Sequence, residues 1–134
     1  MRTLAQALSI AVASVLLTTP ITLAADATAA LTALDPDKDG TIDLEEANAG
    51  ALALFKKLDP DKDGTLDAKE LQGRLTADEL KAADPDNDGT LDEKEYLAVV
   101  KQKFEAANPD NDGTIDLAEL ESPKGQELLK LIYE

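Results

Sequence analysis

The sequence predicts an all-α chain in which helices are joined by acidic turns, and three observations support this fold class. A twelve-residue segment recurs four times, beginning at Asp35, Asp59, Asp84 and Asn108. Each copy has Gly at its sixth position, where glycine permits a sharp turn of the backbone. Between the copies, apolar residues recur with the period of an α-helix. The chain is therefore expected to be a series of loops with helical segments between them.

The first residues have the pattern of a secretory signal peptide. Arg2 precedes an apolar run over residues 4–17, and two small residues, Ala24 and Ala25, follow. The run is too short for a comfortable membrane span and has no charged flank on its far side. We therefore predict a signal peptide at 1–24 and a mature domain at 25–134 in an exported compartment. A retained membrane anchor is the alternative.

The composition is strongly acidic, with 28 Asp and Glu against 13 Lys and Arg and a net charge of −15. Such a surface repels nucleic acid and anionic lipid and attracts cations, so no nucleic-acid partner and, after signal cleavage, no membrane partner is expected. The chain has no Cys to form a disulfide. It also has no His, so zinc and copper lack their preferred ligands. The composition favours hard cations bound by oxygen atoms.

Each repeated segment has the ligand pattern of an EF-hand metal loop. Side-chain oxygens at positions 1, 3, 5 and 9, a backbone carbonyl at position 7 and a bidentate Glu at position 12 can surround one hard cation. Asp at position 9 can instead hold a water molecule, as it does in many calcium loops. The predicted ligands are Asp35, Asp37, Asp39, Thr41, Asp43 and Glu46 in loop one (35–46); Asp59, Asp61, Asp63, Thr65, Asp67 and Glu70 in loop two (59–70); Asp84, Asp86, Asp88, Thr90, Asp92 and Glu95 in loop three (84–95); and Asn108, Asp110, Asp112, Thr114, Asp116 and Glu119 in loop four (108–119).

The segments between loops are short, because successive loops begin only 24 or 25 residues apart. Neighbouring hands must therefore share one connecting segment. Residues 45–58 and 93–107 each have the apolar spacing of one continuous helix. After loop two, Gly73 and the capping-box sequence from Thr76 to Glu79 predict that one short helix stops and another starts. Ser122 and Pro123 predict the start of a last helix over 124–132.

These breaks predict how the loops pair. Loops one and two lie at opposite ends of a straight helix, and the chain reverses before loop three, so loop two should meet loop three and loop one should meet loop four. The apolar residues at position 8 would form short strand contacts within each pair: Ile42, Leu66, Leu91 and Ile115. The three longer helices would form a small bundle, with the four loops at its periphery, around Leu54, Phe55, Leu97, Val100, Phe104, Leu128 and Leu131. Because this core is thin, we expect folding to require metal.

Ligand charge indicates which cation the loops prefer. Loops one to three each carry five carboxylates, at positions 1, 3, 5, 9 and 12, whereas loop four has Asn108 in place of the first. Since Coulomb energy scales with ion charge, five carboxylates favour a trivalent ion of calcium-like size, such as a lanthanide. Position 2 of every loop is Pro, which stiffens the preceding ligand residue.

The loop D-P-D-x-D-G-T-[I/L]-D-x-x-E, repeated four times behind a signal peptide, resembles the loops of the lanmodulin family of periplasmic lanthanide-binding proteins. This resemblance covers essentially the whole mature chain. It implies selective binding of lanthanide(III) ions over calcium, a disorder-to-order transition on binding, and a role in lanthanide uptake, trafficking or buffering. It also implies three tight sites and one weaker site, with calcium as a weak substitute, in a monomer whose protein partner is unknown.

Other classes of function fit less well. An exported calcium buffer or sensor is the main alternative, although Met1 is the only Met and a Met-rich target groove cannot form. A calcium-ordered adhesion module resembling dockerins would also have tandem loops, but its loops end differently from the Glu-terminated loops found here. An enzyme is not expected, because no nucleophile constellation is present and nearly every clustered carboxylate belongs to a loop.

Overall fold

The structure is a computed structural model that describes residues 23–134, and the all-α prediction is confirmed for them. These residues form six helices and four two-residue strands. Their bounds are α1 Leu23–Leu34, β1 Ile42–Asp43, α2 Leu44–Leu58, β2 Thr65–Leu66, α3 Ala77–Ala83, β3 Leu91–Asp92, α4 Glu93–Ala107, β4 Thr114–Ile115, α5 Leu117–Glu121 and α6 Pro123–Ile132. No helix among the described residues is long and apolar enough to cross a membrane. The signal peptide predicted for residues 1–24 lies outside the described residues, apart from Leu23 and Ala24 at the start of α1.

The predicted three-helix bundle is formed by α2, α4 and α6, which pack pairwise against one another. Phe55 and Tyr96 meet at its centre in an edge-to-face arrangement, with ring centroids 5.4 Å apart. The buried Tyr96 hydroxyl donates a hydrogen bond of 2.7 Å to the Leu131 carbonyl and so fixes the end of α6. Leu97, which the sequence placed in the core, is only half-buried, and Val99 takes the buried position on α4.

The loops pair as the sequence predicts. Strand β1 pairs antiparallel with β4, with Ile42 opposite Ile115, and β2 pairs with β3, with Leu66 opposite Leu91. All four of these apolar side chains are fully buried. Loop one thus lies beside loop four, and loop two beside loop three. Each loop pair is joined to the core through its position 8 residues.

The segment after loop two differs from its prediction. Residues 68–73 form turns rather than a short helix. One helical hydrogen bond forms, from the Leu71 amide to the Asp67 carbonyl at 3.0 Å, but Gln72 and Gly73 then adopt φ of 52° and 77°. This left-handed backbone ends the helical turn at once. The predicted restart is confirmed, since Thr76 caps α3 in a capping box with Glu79.

Helix α1 is a second difference, because no element was predicted for residues 26–34 beyond their place in the mature domain. It leads into loop one and contacts α2, α5 and α6, with Ala27 and Ala30 fully buried. Gly50 on α2 makes this close packing possible. A Cβ atom there would lie 2.5 Å from Leu34 Cδ2 and 2.7 Å from the Ile132 carbonyl oxygen.

Candidate metal centres

The structure brings carboxylates together in each of the first three loops. Among residues 23–134, three groups have ligand atoms that all lie within 4.8 Å of one another, which is close enough to share one cation. They are Asp35, Asp37 and Asp39; Asp59, Asp61 and Glu70; and Asp84, Asp86 and Glu95. Positions 1 and 3 therefore meet in every case, joined by position 5 in loop one and by position 12 in loops two and three.

Backbone amides hold the position 1 carboxylate inside its loop. Asp35 accepts hydrogen bonds from the amides of Lys38, Asp39 and Gly40, at 2.6, 3.2 and 2.9 Å. Asp59 and Asp84 accept the corresponding bonds from the position 5 and position 6 amides, at 2.8 to 3.2 Å. These three carboxylates are only 5 to 8% exposed. The first ligand is thus fixed, and its desolvation is offset by amide donors.

The amides can converge because the loop backbone turns through the left-handed region twice. Gly at position 6 has φ of 84° to 93°, for which a glycine is suited. Position 4 also has positive φ, between 55° and 61°, although it is occupied by Lys38, Lys62, Asn87 and Asn111. Lys is uncommon in this conformation, whereas Asn tolerates it. The positive φ at position 4 is not predicted by the spacing of the ligands.

The Thr at position 7 has a role besides its predicted carbonyl ligand. In loop one, both the amide and the hydroxyl of Thr41 donate to Oδ1 of Asp39, at 2.8 and 2.7 Å. The same pair of bonds recurs in the other three loops at 2.7 to 2.9 Å. Thr thereby orients the position 5 carboxylate and leaves its second oxygen available for a cation.

The residues at positions 9 and 12 form a capping box at the start of the segment that leaves each loop. In loop one, Oδ1 of Asp43 accepts from the Glu46 amide at 2.8 Å, and Oε2 of Glu46 accepts from the Asp43 amide at 2.9 Å. Loops two, three and four repeat both bonds. One oxygen of each carboxylate is thus used by the backbone. The D-x-x-E spacing is the sequence signal for this role, which was not recognised beforehand.

Position 9 therefore stands apart from the other predicted ligands. None of the three carboxylate groups includes Asp43, Asp67 or Asp92. Each still has a second oxygen that can face a cation or a bound water. Its place as a direct or a water-mediated ligand stays a prediction.

The crowded carboxylates titrate unusually in loop one. Burial by itself would raise the pKa of Asp35, but hydrogen bonds from the Gly40, Lys38 and Asp39 amides and with Asp37 outweigh it and lower that pKa. Its hydrogen bond with Asp35 raises the pKa of Asp37. Burial, aided by neighbouring carboxylates, raises the pKa of Glu46. The negative charges oppose one another, and a bound cation would relieve that repulsion.

Loop four has the same backbone but a different first residue. Burial raises the pKa of Glu119, as it does for Glu46 in loop one, and Asp116 caps α5. Asn108 is 5% exposed, like Asp84 in loop three. Its Oδ1 atom is buried and has no hydrogen-bond partner among the described residues. The loop therefore offers an unused amide oxygen where the other loops have a carboxylate held by amides.

Comparison with protein families agrees with this geometry. A model of the EF hand matches residues 29–46 and 52–75, and a model of an EF-hand domain pair matches residues 75–103. These segments contain loops one, two and three. No curated protein matches the chain.

Proposed function

This chain carries EF-hand domains with acidic loops that can bind metal, and we propose that it selects lanthanide(III) ions over calcium. Three tight sites would be loops one to three, and loop four would be weaker, with calcium a weak substitute. The proposal rests on the five carboxylates in each of loops one to three. In each of these loops, the carboxylates at positions 1 and 3 have oxygen atoms within 4.8 Å of each other. The proposed location is the periplasm.

Selectivity follows from charge and from how the ligands are held. A loop with five carboxylates keeps a charge of −3 around a divalent ion and −2 around a trivalent one. The residual repulsion is smaller with the trivalent ion, and its attraction to every carboxylate is larger. Hydrogen bonds from backbone amides hold the position 1 carboxylate, and hydrogen bonds from the position 7 Thr hold the position 5 carboxylate. The binding free energy gained by exchanging a divalent for a trivalent ion is therefore larger at a rigid, highly charged oxygen site than at a flexible or hydrated site.

The same geometry supports folding on metal binding. The four position 8 residues are fully buried core residues, and each stands within a metal loop. If carboxylate repulsion opens a loop, its core residue is lost as well. The bundle is too small to offset this repulsion by burial alone. We therefore propose that ligand capture and core formation are one event.

The proposed role is lanthanide uptake, trafficking or buffering in a monomer, as the resemblance to the lanmodulin family implies, and it involves no catalysis. The sequence offers no His or Cys, and the grouped carboxylates all lie in metal loops. A hydrolase assay panel with bound metal should give no signal. Turnover that depends on Asp43 or Glu46 would contradict this role.

An exported calcium buffer or sensor is the second candidate, favoured by the EF-hand matches themselves. Equilibrium dialysis against enough lanthanum to fill three loops, with calcium in large excess, separates the two. The proposal expects about three equivalents of lanthanum to be retained, whereas a calcium protein would retain calcium.

A matched pair of variants shows whether the loops are responsible. Glu95→Gln removes one carboxylate at position 12 of loop three, and Gln still suits a capping box. Glu93→Gln makes the same charge change on an exposed residue two positions earlier. The first should lose one tight lanthanum equivalent and the second none. Equal losses would contradict the assignment.

A further inference from the structure

Loop four differs from loop three in one ligand, although the backbone is the same. Asn108 has φ −112° and ψ 77°, and Asp84 has φ −110° and ψ 82°. Both residues are 5% exposed. The two side chains therefore leave the backbone in the same direction, toward the interior of their loops.

The hydrogen bonds at this position are not the same. Asp84 accepts from the amides of Asp88 and Gly89, at 3.2 and 2.8 Å. In loop four, the amide of Asp112 donates to Oδ1 of Asp110 at 3.2 Å, and Oδ1 of Asn108 has no hydrogen-bond partner in the part of the chain that the structure describes. A buried acceptor without a donor destabilises a fold unless a cation or a water satisfies it. This unpartnered oxygen points to a cation in loop four, independently of the acidic residues around it.

The chemistry of that oxygen favours a divalent ion. Calcium takes Asn carbonyl oxygens as well as carboxylates into its coordination shell. Loop four has four carboxylates, at positions 3, 5, 9 and 12, so it is one charge poorer than each of the other loops. Losing one charge reduces the advantage of a trivalent over a divalent ion.

We propose that loop four is a calcium site in the lanthanide-loaded protein, so that the chain holds two kinds of metal at once. The inference rests on the proposed lanthanide selectivity of loops one to three. Calcium in loop four would stabilise strand β4 of that loop, which pairs with β1 of loop one. It would therefore support the lanthanide site of loop one across the Ile42 and Ile115 contact.

The test uses protein loaded with three equivalents of lanthanum and dialysed against about 1 mM radioactive calcium, the range of weak extracellular calcium sites. One equivalent of calcium should bind while all three lanthanum ions stay. Glu119→Gln should abolish the bound calcium, and the matched control Glu121→Gln, outside the loop, should keep it. Circular dichroism of both loaded variants shows whether they remain folded.

A second variant tests the ligand itself. Asn108→Asp restores the fifth carboxylate, and the preference of the fourth site for lanthanum over calcium should rise by about tenfold or more. An unchanged preference in Asn108→Asp would overturn the inference. So would a parent protein that binds no calcium, or a loss of calcium in Glu121→Gln as large as that in Glu119→Gln. In those cases the three lanthanum ions remain and the proposed function stands. Calcium that displaces the lanthanum would instead refute the proposed function and this inference with it.

Discussion

The position 9 carboxylates offer a direct test of the charge argument. Asp43→Asn, Asp67→Asn and Asp92→Asn together remove one charge from each of loops one to three. Asn caps helices as well as Asp does, and the capping bonds use only Oδ1 and the backbone. The variant should therefore fold in saturating metal as the parent does. A change in its metal affinity can then be attributed to the lost negative charge.

The size of the effect follows from Coulomb's law. The extra charge of a trivalent ion interacts with one carboxylate about 4 Å away by about 1 kcal/mol at the dielectric constant of water, or about 4 kcal/mol near a protein surface. Lanthanum binding should therefore weaken more than calcium binding by about fivefold to about 1,000-fold per site.

The assay is a chelator-buffered titration of each ion, run in parallel on the parent and the variant. A matched control, Glu45→Gln with Asp78→Asn and Glu93→Gln, removes three exposed carboxylates that are not loop ligands. The control should lose little selectivity because these charges are solvated and screened. Equal losses of lanthanum and calcium affinity in the position 9 variant would refute the reasoning.

Three further predictions concern the fold, each measured by urea unfolding of the lanthanum-loaded protein. Gly50→Ala should destabilise the fold by about 1–3 kcal/mol, since its Cβ atom would lie 2.5 Å from Leu34 Cδ2 in α1 and 2.7 Å from the Ile132 carbonyl oxygen in α6. The control is Ala49→Ser at an exposed position of the same helix, and an equal loss of stability there would contradict this reason. Tyr96→Phe should cost about 1–3 kcal/mol because the buried Leu131 carbonyl loses its donor, and no change would show that water replaces it. Lys103, by hydrogen bonding, lowers the pKa of Glu79 from 4.5 to about 2, so this carboxylate stabilises the fold above pH 4.5 and the gain is lost as the pH falls toward 2. Because Glu79 is a third exposed, this stabilisation is small, about 1 kcal/mol or less. Glu79→Gln should remove it above pH 4.5 and so reduce the loss of stability between pH 4.5 and 2 by that amount, and a variant whose stability falls as steeply as the parent's would contradict the assignment.

The sequence predicted the features that depend on periodicity and spacing. The bounds of α2, α4 and α6 followed from apolar residues at helical intervals and, for α6, from the capping residue Ser122. The start of α3 followed from the capping residue Thr76. The loop pairs followed from the lengths of the segments between loops, because a straight helix separates its two ends and a break lets the chain return.

The features that were missed depend on tertiary contacts or on backbone conformation. Helix α1 is short and rich in Ala, and its stability comes from packing against α2, α5 and α6, which no local pattern records. The turn after loop two forms because Gln72 and Gly73 adopt left-handed conformations, although Gln seldom does.

The candidate sites were predicted as ligands but not as hydrogen-bonded structures. Asp at position 9 fits both a metal ligand and an N-cap, and sequence alone does not separate the two roles. The same ambiguity applies to Thr at position 7, whose hydroxyl orients the position 5 carboxylate. The capping role of Asp and the orienting role of the Thr hydroxyl depend on hydrogen bonds that form only in the folded loop.

The central claim is that lanthanide binding and folding are one event with a strong preference over calcium. Its most direct test is far-UV circular dichroism of the metal-stripped mature chain, titrated with lanthanum and separately with calcium at chelator-buffered free concentrations. We expect helicity to rise at free lanthanum concentrations many orders of magnitude below the calcium concentrations that have the same effect, and to be complete at about three equivalents. Comparable midpoints for the two ions, or full helicity before any metal is added, would contradict it.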